Sequence, residues 1–204
     1  VWRRTKLGLR LTAEQIAALP KFNRYMDADG DGIAARTLPG THPKGAYFTR
    51  GSGHNMYGAY TEDAGEYKAV VDRLLVKFET AKKLVPPAEI HASEKSRLGF
   101  ITIGSSDNAV KEARAVLADA GININYLRVK GFPSGKEVQD YIDSHERIYV
   151  VEQNRDAQLR SMLLLETRVD PNKLVPVLHY DGLPILAATV IDGVNQDLAR
   201  GKAA

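Results

Sequence analysis

Three aspartates at alternate positions, Asp27, Asp29 and Asp31, followed by Gly32, have the spacing of the first half of a calcium loop. In such a loop alternate carboxylates supply oxygen ligands and the glycine makes a sharp turn. The second half departs from the pattern. Leu38 stands where a bidentate glutamate should close the site, and Arg36 places a cation close by. Pro20 upstream and Pro39-Gly40 downstream interrupt the helices that would have to grip the loop. The competing reading is an acidic turn, in which Gly30 and Gly32 take positive φ and the aspartates bond neighbouring backbone amides. The missing twelfth-position ligand favours the turn.

Other candidates lie further along. At Gly104-Ser105-Ser106 a strand-like run gives way to a helical one, and free amides at a helix start can hold a phosphate or a carboxylate. No G-x-G-x-x-G and no P-loop lysine accompany the turn, so simple capping by Ser105 or Ser106 competes with that reading. Glu152, Asn154 and Gln158 follow a third strand-like run, at the edge where open α/β sheets place ligands or partners. The alternative there is a hydrogen-bonded loop and helix start. His54, in TRGSGHNMYG near Arg50, occupies a glycine-bracketed loop that a ligand or another subunit could approach closely, or else it is structurally bonded. Arg36 and Arg50 join it as candidate interface or anion contacts. The five histidines are scattered singly without metal spacing, and nothing in the order of Ser, His and Asp defines a triad, so no catalytic, cofactor-binding or metal-binding residue is assigned.

Two unlike halves must position these groups. Residues 1–60 are dense in Gly, Pro, Asp, Asn and Thr, with one short helical patch from Thr12 to Leu19 that Thr12 can cap; this half reads as an irregular arm. Trp2, Phe22, Tyr25, Tyr47, Phe48 and Tyr57 sit among its turns, as interface anchors or as the arm's own packing. Residues 61–86 hold Tyr67, Val70, Val71, Leu74, Leu75, Phe78 and Ala81 at spacings of three and four, an amphipathic linking helix that Pro86-Pro87 ends. From residue 87 to 204 strand and helix patterns alternate: LGFITIG, a helix to Gly121, ININYLRV, GFPSGKEVQDYIDSH, RIYVVEQN, DAQLRSMLLLET, KLVPVLHY, and a last helix through Val190, Ile191, Val194 and Leu198 despite Gly193. That alternation predicts a three-layer α/β domain on a largely parallel sheet.

Composition removes whole classes of function. At 204 residues and 44% hydrophobic the chain can build one sizeable core, or a domain plus an extended arm. A net charge of +3 spread over a mixed surface points to no nucleic-acid groove, and Arg3, Arg4, Lys6 and Arg10 read as a solvated terminus. With no cysteine the chain can carry neither a disulfide nor its own iron–sulfur cluster, which fits a reducing, cytoplasmic setting. No apolar run reaches the length of a membrane span, and no signal peptide is expected. The sequence opens on Val1, and VWRRTKLGLRL has no evident packing partner, so it is expected to be a piece of something longer.

Read in order, these segments resemble the alpha subunit of the 2-oxoacid:ferredoxin oxidoreductases, nearest to the 2-oxoglutarate enzymes. In the arm the family's Arg-Tyr, D-G-I, Arg, Pro-Gly and Gly-His-then-Gly pattern falls on Arg24, Tyr25, Asp31, Gly32, Ile33, Arg36, Pro39, Gly40, Gly53, His54 and Gly58. The acidic turn is thereby read as a linker element of that family. In the second half, GFITIGSSDNAVKEARAVLADAGININYLRVKGFPSGKEV resembles its strand, G-S-S/T turn, helix and strand, with Gly131-Phe132-Pro133 at its Pro-Phe-Pro-like turn. RIYVVEQNRDAQL resembles its V-V-E-x-N-x-x-G-Q-L segment, with Ala157 where Gly is common. The resemblance covers nearly the whole chain from about Phe22.

It implies a domain similar to the carboxy-terminal domain of transketolase, a mixed five-stranded sheet with helices on both faces. It also implies a parent enzyme in which thiamine diphosphate with magnesium lies between a pyrimidine-binding domain and a beta subunit. There a 2-oxoacid is decarboxylated, electrons pass through iron–sulfur clusters to ferredoxin, and coenzyme A takes the acyl group; the cofactor supplies the carbanion chemistry. The family's Y-P-I-T-P-S and G-P-S-T-G segments and a G-D-G…N metal-diphosphate motif are absent from these 204 residues. The expectation is therefore a non-catalytic structural module, inactive and without thiamine when isolated, whose partners are the beta subunit and the pyrimidine-binding domain. A stand-alone anion-binding or regulatory module built on Ser105, Ser106, Glu152 and Asn154 is the alternative.

Overall fold

The structure, a computed structural model, describes residues 10–48, 53–92 and 96–202. The chain divides into two compact units, residues 1–84 and residues 85–204.

The first unit is mostly irregular. Its short helix α1 (Ala13–Ala18) starts with a capping box, in which Thr12 Oγ1 accepts from the amide of Gln15 and the Gln15 side chain accepts from the amide of Thr12. The unit's described features also include a 3-10 turn at Pro43–Gly45 and isolated bridges of Arg10 with Arg36 and of His54 with Tyr60. Helix α2 (Ala64–Lys82) is capped by Asp63, whose carboxylate accepts from the amide of Glu66 at 2.8 Å. Its sequence period predicts a face turned to a core, yet no residue of α2 is buried. The helix docks on the acidic turn through a different side. Arg73 Nη1 donates to the Gly32 carbonyl at 2.6 Å, Thr80 Oγ1 donates to the Asp31 carbonyl at 2.5 Å, and Gly32 lies directly on the backbone of Lys77.

The second unit is the expected three-layer α/β domain. Five strands, β1 (Glu89–His91), β2 (Leu98–Ile103), β3 (Asn125–Val129), β4 (Arg147–Glu152) and β5 (Leu174–Leu178), form one sheet in the order β1-β3-β2-β4-β5. All pairings are parallel except β1 with β3, so the sheet is mixed. In register, Ile101 lies beside Leu127 and Val150, and Val150 beside Pro176. Pro176 is tolerated because β5 is an edge strand, with an unpaired side for a residue that has no N–H to donate.

Alternate residues of each strand enter opposite cores. On one face Phe100, Tyr126, Tyr149, Val151 and Val177 pack against α3 (Asp107–Asp119) and α6 (Ala187–Lys202). On the other, Ile101, Leu127, Val129, Ile148, Val150 and Leu174 pack against α4 (Lys136–Asp143) and α5 (Gln158–Glu166). This double burial explains why the central strands read as continuous apolar runs. The peptide bond between Phe132 and Pro133 is cis. Helix α6 tolerates Gly193 because a Cβ there would meet the Val177 side chain at 2.9 Å; the glycine lets helix and strand approach.

Buried polar groups tie the layers together. Asp197 on α6 accepts from Arg147 Nε at 2.6 Å, from Arg147 Nη2 and from the Tyr149 hydroxyl at 3.0 Å, and the arginine holds its carboxyl below the usual range. Asp107 accepts from the Tyr126 hydroxyl at 2.6 Å and from Lys111 at 2.9 Å, with Arg128 3.2 Å away. Burial pushes its pKa up, but these donors and cations outweigh burial and the net shift is down. Burial raises the Tyr126, Tyr141 and Tyr149 hydroxyls out of any physiological titration.

Candidate functional site

The groups singled out in the second unit meet at the carboxyl edge of the sheet. Gly104, Ser105 and Ser106 leave β2, Gln153 and Asn154 leave β4, and with Phe132, Glu152, Gln158 and Met162 they line a cleft of about 340 Å³. Parallel strands that all end on one edge bring such residues together whatever their separation in sequence.

Within this cleft most polar groups serve the backbone. Glu152 is buried at 3% exposure, and its carboxylate accepts from the amides of Leu159 at 2.6 Å and Arg160 at 3.1 Å, and from Asn154 Nδ2 at 2.7 Å. It therefore caps α5 from a neighbouring strand, because the helix's own N-cap, Ala157, has no side chain to do so. Asn154 Oδ1 accepts from the amides of Asp156 and Gln158 at 3.1 and 3.2 Å, closing the loop. Ala157 itself sits at φ 50°, ψ 50°, the left-handed region that favours glycine, which is the physical sense of the Gly common at this position in the resembling segment.

Capping by Ser105 or Ser106, expected from the sequence, is not how α3 begins. Ser106 is the N-cap residue and is buried at 1% exposure, but no side-chain capping bond forms. Its φ of −69° and ψ of −9° are helical, because the 3-10 turn Gly104–Ser106 runs straight into α3. Ser105 Oγ instead accepts from Gln153 Nε2 at 2.8 Å, while Gln153 Oε1 accepts from the amide of Ile185 at 3.0 Å. Gln153, which the sequence reading passed over, thus joins the loops after β2, β4 and β5. Its only signal was its place between Glu152 and Asn154.

In the first unit Arg36 and His54 are placed apart from this cleft's residues in sequence and in unit, and Arg50 lies outside the described residues. The His54 ring stacks on Tyr25, centroids 4.0 Å apart. His54 Nδ1 and Arg36 Nε are buried and have no hydrogen-bond partner among the described residues. Arg24 lies over the rings of Tyr25 and Tyr47 at 5.0 and 5.4 Å and donates from Nε to the Tyr47 hydroxyl at 2.7 Å. Of the arm's aromatic residues, Phe22 is buried whereas Tyr47, Phe48 and Tyr57 are exposed, Phe48 at 82%; Trp2 lies outside the described residues.

The three aspartates bring carboxylate oxygens within 4.8 Å of one another. Two of the three are engaged by the turn: Asp27 accepts from the amides of Gly30 at 3.0 Å and Gly32 at 2.8 Å, and Asp31 from the amide of Ile33 at 2.7 Å. Gly30 and Gly32 have φ of 76° and 79°, as the acidic-turn reading requires. Nor do the residues of the carboxyl-edge cleft fit thiamine diphosphate and magnesium: the oxygens that would ligate the metal, on Glu152 and Asn154, are taken by main-chain amides.

No family model matches the chain. Among curated proteins it is 25% identical over 187 residues to "2-oxoacid:ferredoxin oxidoreductase 2, subunit alpha" of Aeropyrum pernix, a match covering 89% of this chain and 28% of that protein. It is also 25% identical over 188 residues to the 2-oxoacid:ferredoxin oxidoreductase subunit alpha of Saccharolobus solfataricus, covering 90% and 29%. The chain thus spans less than a third of the length of these relatives. Among solved structures, the 2-oxoglutarate:ferredoxin oxidoreductase from Magnetococcus marinus, with 2-oxoglutarate, coenzyme A and succinyl-CoA bound, shares its fold at a TM-score of 0.74 and 22% identity, over 88% of this chain and 31% of that one. The motifs, their order along both units and these matches make the chain a homologue of part of the alpha subunit of the 2-oxoacid:ferredoxin oxidoreductases.

Proposed function

We propose that the chain is a non-catalytic assembly module of a thiamine-dependent 2-oxoacid:ferredoxin oxidoreductase, of the 2-oxoglutarate type. The observation that carries this reading is how the polar residues are used. Glu152, Asn154 and Gln153 at the carboxyl edge are spent on loops and a helix end, whereas the arm leaves Tyr47, Phe48 and Tyr57 in solvent. Side chains so committed support a rigid scaffold, and exposed aromatics in a structured arm support contact with a partner. In this role the arm holds the pyrimidine-binding domain and the beta subunit around the cofactor, and ferredoxin and coenzyme A act on other parts of the cytoplasmic complex. Among the described residues no helix is long and apolar enough to cross a membrane.

The test is the native mass of the polypeptide carrying this sequence, captured from source cells by an antibody to it, with its co-purifying proteins and thiamine content. A polypeptide several times the 22.4 kDa of this chain, arriving with a second subunit and thiamine diphosphate, is the expected result. A native chain of this size, alone and without cofactor, overturns the proposal. A second reading, an anion-binding regulatory module, draws on the Ser105-Ser106 turn beside Gln153 and Gln158. Calorimetric titration with inorganic phosphate and with nucleotides distinguishes it, since only this reading expects saturable binding that Ser106→Pro removes.

A further inference from the structure

The carboxyl-edge cleft opens where the sheet reverses its order. From β2 the chain crosses to β3 on one side and then returns to β4 on the other, and β2 pairs in parallel with both. The loops that leave β2 and β4 therefore diverge, and the crevice between such loops is where open α/β sheets bind small ligands. Residues 104–106 and 152–154 belong to those two loops and line the cleft together. Its volume of about 340 Å³ falls at the lower end of the ~300–1,000 Å³ usual for ligand sites, which selects a small ligand.

Two polar groups of the cleft are uncommitted. Its walls are already fixed, because Glu152 and Asn154 hold the start of α5 and Gln153 bridges Ser105 to Ile185. Ser106 differs. It lines the cleft at 1% exposure, caps nothing, and its hydroxyl has no hydrogen-bond partner among the described residues. Buried hydroxyls are ordinarily paired, so one left open beside a cavity is a donor in need of an acceptor. The Gln158 side chain, exposed on the first turn of α5, is likewise unbonded among the described residues and offers donor and acceptor on one amide. To the same cleft Phe132 adds an aromatic ring and Met162 a thioether.

Charge decides what kind of ligand fits. Among the described residues no lysine, arginine or histidine lines the cleft, while the Glu152 carboxylate does. The nearby cations are paired: Lys111 and Arg128 lie 2.9 and 3.2 Å from Asp107, and Arg155 lies 2.7 Å from Asp156. A multiply charged anion would meet a buried carboxylate with no free cation to offset it, a cost that an uncharged ring escapes. We infer that this cleft binds a flat, uncharged heterocycle with a ring N–H between two carbonyls, the class of uracil and its nucleoside. One carbonyl accepts from the Ser106 hydroxyl, the N–H and the other carbonyl pair with the Gln158 amide, and the ring face rests on Phe132. This site goes beyond the assembly role proposed above and does not depend on it, and it differs from the anion-binding reading in the charge of what it takes.

The probe is uridine, titrated into the full isotope-labelled chain and followed by amide NMR, with 3-methyluridine and inorganic phosphate alongside. The amides of residues 104–109 and 152–162 are expected to shift and to saturate with a Kd of about 0.1–1 mM, the range for a ligand of this size. 3-Methyluridine, which lacks the ring N–H, is expected to bind about three- to tenfold more weakly, and uridine to lose as much in Ser106→Ala and in Gln158→Ala. Gln158 is exposed, so its variant keeps the test sharp even where Ser106→Ala alters the fold. No saturation by uridine up to about 10 mM overturns the inference. So does an affinity that Gln158→Ala leaves unchanged, or phosphate that moves the same amides at least as tightly, a result that would favour the anion-binding reading. A chain that binds neither probe yet co-purifies from cells with a second subunit and thiamine diphosphate overturns this site and leaves the assembly role standing.

Discussion

Glu152 shows how a residue can read as chemistry in sequence and act as architecture in the fold. A buried carboxylate at a strand's carboxyl end is a usual candidate for ligand binding, but both oxygens of this one accept from main-chain amides at the start of α5. Replacing it with alanine leaves those amides buried and unpaired, so Glu152→Ala is expected to cost about 3 kcal/mol, and Glu152→Gln, which keeps one acceptor, about 1 kcal/mol. Urea denaturation measures both; equal losses would mean that the carboxylate does not hold the helix end. His145 is a second buried polar residue that its sequence context left unmarked. Its Nδ1 lies 2.6 Å from the Tyr141 carbonyl and its Nε2 2.9 Å from Asn125 Nδ2, an arrangement that suits a neutral ring donating from Nδ1 and accepting at Nε2. Burial lowers its pKa below the usual 6.5, aided by Lys173, while the bond to Tyr141 acts in the opposite sense. Above pH 6.5 the ring is neutral in both the folded and the unfolded chain, and its contribution is fully present. As the pH falls below 6.5 the unfolded chain takes up a proton that the folded chain resists, and stability is lost until the folded pKa is passed. The loss between pH 7.5 and 5.5 is expected in the unsubstituted protein and should be smaller in His145→Gln. The depressed carboxyls Glu89, held at about 2 chiefly by Lys130, Asp107 and Asp197 titrate further down and do not enter this window. Parallel slopes for the two proteins would remove His145 as the cause. Of the candidate residues, the sequence could expose those with a type and a position, such as Glu152 after a strand; what each side chain bonds depends on which amides the fold leaves free.

At the level of the elements, the acidic turn and α2 behave as one device. The turn's carbonyls at Asp31 and Gly32 accept from Thr80 and Arg73, and Gly32 lies so close that a Cβ would stand 2.2 Å from the Lys77 amide nitrogen. Gly32→Ala must therefore push the turn off the helix, at an expected cost of about 3 kcal/mol or more to the first unit. Gly30 has nearly the same φ, 76° against 79°, but open space around it, so Gly30→Ala pays only the left-handed strain of about 1–2 kcal/mol. Trypsin cleavage at Lys77 and Arg73, followed by mass spectrometry, separates the two: faster cutting in Gly32→Ala than in Gly30→Ala is expected, and equal rates would show that the close approach does not matter. The same pair of elements marks the limit of periodicity as a guide. The spacing of Tyr67, Val71 and Phe78 located the helix but not the side through which it meets the acidic turn, since hydrophobic period shows where an apolar stripe lies and not which element covers it. In the second unit the four parallel strands were legible because burial on both faces makes them dense apolar runs. Strand β1 had no such run: it is three residues long, pairs on one side only, and is held by side chains such as Glu89 with Lys130 at 2.6 Å. Its place in a five-stranded sheet came from the family resemblance alone.

Across the whole chain, the two units differ in what stabilises them. Both apolar cores are built entirely from residues of the second unit, with the sheet shared between them, and the buried ties of Asp197 to Arg147 and of Asp107 to Tyr126 lie there too. Among the described residues, those of the first unit that are buried and apolar are Ile16, Phe22 and Ala35. It relies on turns, caps and stacked rings, which individually contribute about 1 kcal/mol each. Its buried atoms without partners among the described residues, Asn23 Oδ1, Arg36 Nε, His54 Nδ1 and Arg73 Nε, have no counterpart in the described part of the second unit. Buried polar groups are ordinarily satisfied, so an element that leaves several open is one whose own contacts are incomplete. That division predicts two levels of stability in one chain. Residues 85–204 expressed alone should unfold in a single cooperative transition with a midpoint within a few degrees of the main transition of the full chain, because none of the described residues of the removed segment belongs to either core. Hydrogen exchange on the full chain should show strands β2, β3 and β4 protected to the global limit, and the amides of residues 10–48 exchanging through smaller openings. A fragment 85–204 that fails to fold cooperatively, or an arm protected as strongly as the central strands, would mean that the arm belongs to the folding core and is no attachment to it.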